Sequence, residues 1–201
     1  MHPNSWLLFD KYAKAFFQPH TQVLEIGPAQ PSKYQTLVGD DSITWHTIDM
    51  HDGPGLTFKS IDEYHFPIPA DTYDVVVSGQ VLEHVRKPWV WIKEVARVCR
   101  PGGNVITISP ISWPYHAAPF DCWRAYPEGM RALYDEAGLE VVICTFESLE
   151  IPGYRRYIPG RSIALKPLNR RLANQIMGRL GYPIERSYDT ITIGKKTRPT
   201  P

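Results

Sequence analysis

Two acids and a glycine carry the first chemical signal in this chain. The run Val23-Leu24-Glu25-Ile26-Gly27-Pro28-Ala29 reads as a short buried strand that delivers Glu25 and then Gly27 into a tight turn. Glycine at the end of an apolar strand lets a ligand approach backbone that a side chain would shield. A second strand-like run, Thr44-Trp45-His46-Thr47-Ile48-Asp49, ends in another acid. Asp49 follows the turn by about twenty residues, the spacing that sets a ribose-binding carboxylate beside the first turn of a doubly wound α/β fold. These residue types point to a nucleoside-containing cofactor.

Such a site needs parallel strands with helices between them, and the chain alternates the two. Strands are expected at 22–26, 43–49, 56–61, 73–78, 104–109 and 139–146. Between the fourth and fifth, Val90, Ile92, Val95, Ala96 and Val98 alternate with charged residues over a helix at 88–99. Pro101-Gly102-Gly103 ends it, because proline and glycine cannot continue a helix cheaply. A further helix at 127–137 opens with Pro127 and stops before Gly138, the usual placing of these two residues. Near the start, Asn4 to Phe17 reads as an amphipathic helix capped by Asn4 or Ser5. The alternation argues for an α/β fold. With 201 residues there is room for one well-buried domain and not for two ordinary ones.

Composition narrows the class. A hydrophobic fraction of 43% and an aromatic fraction of 12% fit a globular enzyme or binding domain. Cys99, Cys122 and Cys144 are far apart and form no CxxC pair. That argues against a disulfide framework and a thiolate zinc site, and no metal site is expected. The N-terminal residues show no basic segment before an apolar run, and no stretch is long and apolar enough for a membrane span, so the default is cytoplasmic. The net charge of +1 hides a split: residues 1–150 carry −8 and residues 151–201 carry +9. The basic end either serves an anionic partner or neutralises an acidic body.

Five ordered segments resemble the motifs of class I S-adenosylmethionine-dependent methyltransferases. They are Val23 to Gly27, Asp49, Asp74-Val75-Val76-Val77-Ser78, Val81-Leu82-Glu83-His84-Val85, and Arg97-Val98-Cys99-Arg100-Pro101-Gly102-Gly103. The resemblance spans roughly residues 21–147. It implies a Rossmann-like, doubly wound, mostly parallel seven-stranded sheet with helices on both faces and an antiparallel last strand at 188–196. The whole chain, 1–201, is then one domain: an N-terminal helix at 1–20, a cofactor-binding core at 21–147, a basic segment at 151–187 and the last strand.

The implied cofactor is S-adenosyl-L-methionine. Asp49 would accept hydrogen bonds from both ribose hydroxyls, a charge-assisted contact stronger than a neutral one. Gly27 would let backbone meet the methionine tail, and Glu25 would orient that tail through water. Asp62 in Ile61-Asp62-Glu63-Tyr64 would accept the adenine amine. Ser78, Gly79 and Gln80 would meet the cofactor's amino group at the carboxyl end of the fourth strand, and His84 would stand at its edge or serve structure. Met50, beside Asp49, and Glu63, beside Asp62, belong to the same expected set, as do Pro28 and Ala29. Ala29 replaces the usual second glycine of the first motif, and Pro28 and Pro31 each lack a backbone donor. Pro31-Ser32-Lys33-Tyr34 resembles a variant turn in some bacterial members.

The loop after the fifth strand, Trp113 to Arg124, is dense in aromatic and polar side chains, which suits a pocket wall. It resembles the His, Pro, Asp and Arg pattern of methyltransferases linked to polysaccharide or secondary-metabolite synthesis. His116 would take a proton from the methyl acceptor while Asp121 fixes its tautomer, or the set is a structural network. Tyr115, Trp123 and Arg124 are the candidate acceptor-binding residues, with Arg124 alternatively paired to Asp121. In 151–187, Leu168, Leu172, Ile176 and Leu180 recur every four residues with Arg170, Arg171 and Arg179 between them. That helix either packs on the sheet, lids the acceptor, or faces an anionic surface. No RNA-binding module is visible, and Tyr154, Tyr157 and Tyr182 are too few for base stacking.

The expectation is methyl transfer to oxygen or nitrogen of a small molecule or glycan intermediate, an anionic acceptor being open. The alternatives are a nucleic-acid or protein methyltransferase using the basic end, and a non-catalytic S-adenosylmethionine-binding protein.

Overall fold

The computed structural model describes residues 3–113, 115–117, 119–150, 155–158, 161–165, 176, 179–180 and 187–197. Its main sheet contains β1 (Gln22–Ile26), β2 (Thr44–Asp49), β3 (Phe58–Lys59), β4 (Tyr73–Gly79), β5 (Cys99–Pro110), β6 (Leu139–Glu147) and, at its end in sequence, Asp189–Lys196. A separate hairpin pairs β7 (Arg155–Ile158) with β8 (Arg161–Leu165), so the last strand is β9. The seven strands run in the order β3-β2-β1-β4-β5-β9-β6, and β9 is antiparallel to both neighbours. This is the Rossmann-like sheet of class I methyltransferases, with the hairpin inserted before the last strand.

Alternate residues of the central strands feed two cores. Leu24, Val76 and Val105 face one side, where they pack with α3 (Pro88–Val98) and α4 (Pro127–Glu136) through Trp91, Ile92, Val95, Met130 and Tyr134. Val23, Val75, Val77, Ile106 and Ile193 face the other, against Leu8, Phe9 and Phe17 of the N-terminal segment and Tyr34 of α2 (Lys33–Val38). Strands covered on both faces read as continuous apolar runs, as β4 does. All seven of its residues are buried.

Three elements depart from the sequence reading. The Asn4–Phe17 helix is α1 (Pro3–Leu8), a π-turn segment (Phe9–Ala13) and a 3₁₀ turn (Lys14–Phe16). Asn4 and Ser5 are not caps: both are fully buried, Asn4 donating to Asp189 Oδ2 at 2.5 Å and Ser5 bonding the Tyr34 hydroxyl at 2.7 Å. The strand expected at 56–61 keeps only Phe58–Lys59, held on β2 alone at the sheet edge. Pro101-Gly102-Gly103 does not stop α3, which ends at Val98; these residues lie inside β5, beside a register shift opposite Tyr73 and Val75. A β-carbon on Gly103 would meet the Asp74 carbonyl at 2.7 Å, so the glycine serves strand contact.

The chain leaves β6 at Glu147 and re-enters β9 at Asp189, which face each other in register and adjoin Pro110 at the carboxyl end of β5. The segment between them therefore emerges at the carboxyl edge of the parallel strands, where ligands bind in such sheets. Leu168, Leu172, Arg170 and Arg171 lie outside the described residues, and Ile176, Arg179 and Leu180 are exposed. Among the described residues no helix is long and apolar enough to cross a membrane.

Candidate functional site

A cavity of about 270 Å³ opens at the carboxyl ends of β1, β2 and β4. Gly27, Asp49, Met50, Asp62, Glu63, Gln80 and His84 line it, together with Ile26, Ile48, Phe66 and Trp91 as an apolar floor. The first motif reaches it through one tight turn. Gly27 donates its N–H to the Ile48 carbonyl at 2.9 Å and holds φ at +65°, the left-handed region that side chains resist. Its backbone also lies against Val81, whose Cγ2 occupies the place a β-carbon would take.

Glu25 lies behind this turn. It is 1% exposed, and its Oε2 accepts from the Ser32 hydroxyl at 2.5 Å and the Trp45 indole at 2.9 Å. Burial pushes its carboxyl up, and those two donors only partly offset that. Oε1 has no hydrogen-bond partner among the described residues. Ser32 also caps α2 by accepting from the Gln35 N–H at 3.0 Å, so Glu25 locks the turn to the helix that follows. Pro28 and Ala29 are half-buried in that turn and do not line the cavity.

At the next strand end, Asp49 accepts from the His51 N–H at 2.8 Å and faces the cavity with Met50. Asp62 engages both oxygens locally: Oδ1 accepts the Tyr64 and His65 N–H groups at 2.6 and 2.8 Å, and Oδ2 lies 2.8 Å from His65 Nδ1. The His65 contact leads in holding its carboxyl below the ordinary range. Glu63 accepts the Arg86 N–H at 3.1 Å, and the Arg86 guanidinium stands 5.0 Å over the Phe120 ring, closing the rim.

Ser78 and Gly79 are buried at the end of β4 and stop short of the cavity. Gly79 abuts the Tyr34 hydroxyl so closely that a β-carbon would overlap it. Gln80, next in line, adopts φ +61° and donates its side-chain amide to Asp189 Oδ1 at 3.1 Å. Positive φ at a residue with a β-carbon stores strain, and such strain collects at functional sites.

On the other flank, His84 donates from Nδ1 to the Phe120 carbonyl at 2.6 Å, and its ring meets His116 edge-on at 5.0 Å between centroids. His116 lies behind His84 and outside the cavity lining. Its backbone N–H donates to Asp121 Oδ2 at 2.8 Å, and its Nδ1 lies 3.4 Å from the same oxygen. Arg124 grips Asp121 with two bonds, at 2.5 and 2.7 Å. Burial pushes the Asp121 carboxyl up, but the Arg124 guanidinium, the His116 amide and both nearby charges outweigh it and hold the group at about 2. Arg124 thus belongs to Asp121. Tyr115 is 79% exposed, and Trp123 donates its indole N–H to the Val85 carbonyl at 2.9 Å.

The sequence reading missed Glu83. It is fully buried in the 3₁₀ turn Leu82–His84, and neither carboxylate oxygen has a hydrogen-bond partner among the described residues. Burial pushes its carboxyl up to about 8. Its position in the Glu-His pair was visible, but its burial depends on Cys122 and Trp123, whose N–H groups bond its carbonyl from forty residues away. Arg86 and Phe120 also escaped, since a rim built across two loops has no sequence period.

A family model described as a methyltransferase domain matches residues 41–107, from β2 into β5. A stretch of 76 residues is 34% identical to 2-methyl-6-phytyl-1,4-hydroquinone methyltransferase 2 of Oryza sativa subsp. japonica, covering 37% of this chain and 22% of that protein. The chain spans from about a fifth to two fifths of the length of the curated relatives it matches. Among solved structures, the complex between the Haloferax volcanii Trm112 methyltransferase activator and a methyltransferase superposes with a TM-score of 0.64 at 18% identity, over 98% of this chain and 92% of that one. Haemonchus contortus phosphoethanolamine N-methyltransferase 2, with phosphomonomethylethanolamine and S-adenosylhomocysteine, gives 0.60 at 11% identity, over 96% and 53%. With the ordered motifs, the 3-2-1-4-5 sheet completed by an antiparallel strand, and the cavity at its carboxyl edge, the match identifies residues 41–107 as part of a methyltransferase domain with the Rossmann-like fold of the class I S-adenosylmethionine-dependent enzymes.

Proposed function

We propose that the protein transfers a methyl group from S-adenosylmethionine to oxygen or nitrogen of a small molecule or glycan intermediate. The observation that carries this reading is the cavity in which Gly27, Asp49, Gln80 and His84 converge at the carboxyl edge of the sheet. The donor, when bound, supplies an electrophilic methyl on a sulfonium. Asp49 accepts the ribose hydroxyls, the backbone at Gly27 and Gln80 meets the amino-acid tail, and Asp62 and Glu63 border the adenine end. Glu25 acts on the tail indirectly, by fixing the turn through Ser32. The floor of Ile26, Ile48, Phe66 and Trp91 suits a purine face.

On the acceptor side, His116 receives the acceptor's proton while Asp121, itself clamped by Arg124, sets its ring. Help of this kind is typically worth ~10²–10⁴-fold. Tyr115 and Trp123 form the outer acceptor wall. The rice relative is named for a 2-methyl-6-phytyl-1,4-hydroquinone, a dihydroxylated ring carrying a long apolar chain. A cytoplasmic setting goes with this reading, since all three cysteines are free thiols.

Calorimetry on the full chain tests the donor site. S-adenosylmethionine should bind one equivalent, and Asp49→Ala should weaken it roughly 10–100-fold, the worth of a charged hydrogen-bond acceptor. Equal affinity in the variant would remove Asp49 from the site. Methyl transfer from labelled donor to a panel of hydroxylated and amino acceptors then identifies the substrate class.

A further inference from the structure

Glu83, His84 and His116 each offer one ligand atom, and these atoms all lie within 4.8 Å of one another. Glu83 is fully buried with both carboxylate oxygens unbonded among the described residues. Because His84 donates its Nδ1 hydrogen to the Phe120 carbonyl, the neutral ring carries its lone pair on Nε2. That Nε2 stands 3.8 Å from Glu83 Oε1, beyond hydrogen-bond reach. The Glu83 carboxyl and an imidazole lone pair therefore face each other across a gap too wide for a hydrogen bond. What such a gap lacks is a cation.

We propose that Glu83, His84 and His116 form a binding site for a divalent transition metal ion of the zinc type, in the wall of the cavity. Two imidazoles and one carboxylate are the donor set of metal sites that keep open coordination positions. Both histidines have the outer support that metal-bound imidazoles use: the Phe120 carbonyl on His84 Nδ1, and the Asp121 carboxylate 3.4 Å from His116 Nδ1. Tetrahedral coordination at zinc distances sets ligand atoms roughly 3.4 Å apart, so the three groups must close by about an ångström. His116 sits on a loop and not in a helix or strand, and supplies that movement.

His84 lines the cavity and His116 stands behind it, so the ion would sit between the donor cavity and the acceptor-side loop. This consequence rests on the methyl-transfer reading: an acceptor hydroxyl on the metal would give its proton to water at lower pH, and His116 would act as the base only in the protein without the ion. The metal keeps its charge throughout.

The test uses the full chain without an affinity tag, stripped by chelator and titrated with Zn²⁺ by calorimetry and with Co²⁺ by visible absorption. One equivalent should bind, with Co²⁺ developing ligand-field bands. E83Q and H84A should each weaken binding at least ~100-fold, and H116A, changed at a partly exposed loop position, should do so without touching the core. Melting temperatures confirm that the variants fold. Substoichiometric uptake by the wild type, or wild-type affinity in all three variants, overturns the site. Donor binding to the stripped protein is read separately, so loss of the metal site leaves the methyl-transfer reading intact.

Discussion

Gly27 and Val81 touch where two motifs far apart in the sequence meet: a β-carbon on Gly27 would fall on Val81 Cγ2. The turn that shapes the donor end of the cavity is thus fixed from both sides, by its own φ of +65° and by a neighbour after β4. Gly27→Ala should lose about 1–2 kcal/mol from the left-handed backbone alone, with further loss from the overlap. Adding Val81→Ala should recover the steric part and leave the backbone part. Denaturant melts and donor calorimetry on the single and double variants measure the two parts.

Glu25 gives a pH signature. Its folded carboxyl titrates above the ordinary value of 4.5 because it is buried. Above 4.5 the unfolded chain has lost this proton while the folded chain keeps it. Stability from this group is therefore full below 4.5 and is lost as pH rises through the folded value, at about 1.4 kcal/mol per pH unit across that window. Glu25→Gln preserves an acceptor for Ser32 and Trp45 and should flatten the slope. Denaturant midpoints in a pH series from 4.5 upward check this; parallel slopes would refute it.

Asn4 ties the first helix to the end of the last strand. Its amide donates to the Glu147 carbonyl and to Asp189, and its oxygen accepts the Leu149 N–H at 2.8 Å. Asn4→Ala removes these contacts in a fully buried position and should cost about 1–3 kcal/mol. Because Asp189 also receives Gln80, donor affinity should fall with stability. Equilibrium unfolding and calorimetry on the same variant separate the two effects.

On the acceptor side, His116→Ala should lower kcat by roughly 10²–10⁴-fold while donor affinity stays close to that of the wild type. Asp121→Asn should lower kcat less, since the Arg124 clamp and the His116 N–H contact are weakened and not removed. Unchanged turnover in His116→Ala would show that the histidine neither accepts a proton nor holds the acceptor.

The legible part of this protein was what short segments decide for themselves. Val75, Val76 and Val77 are buried on both faces of β4, and a continuous apolar run between punctuating residues needs no tertiary knowledge to read. Asp49 and Gly27 were legible because motif spacing fixes strand ends. By contrast, α2 has six residues, Lys33–Val38, too few for a helical period to register. The N-terminal segment reads as one amphipathic helix, yet it changes winding at Phe9 to stack that ring on Tyr34 at 4.3 Å. Glu83 reads as an ordinary helix-opening acid, and only a loop folding over it makes it a buried carboxylate. Asn4 and Asp189 are separated by 185 positions, and no local pattern announces their bond.

The place of β9 between β5 and β6 also governs how the chain can be made. During synthesis β6 emerges long before Asp189–Lys196 and has no other strand of the main sheet to pair with. Until Asp189–Lys196 leaves the ribosome, β5 is an open edge carrying unpaired backbone groups and the Val105–Ile108 side chains, a surface on which nascent chains can associate. The sheet closes only once Asp189–Lys196 has been made, so a chain stalled before that strand is a sticky intermediate rather than a smaller working domain.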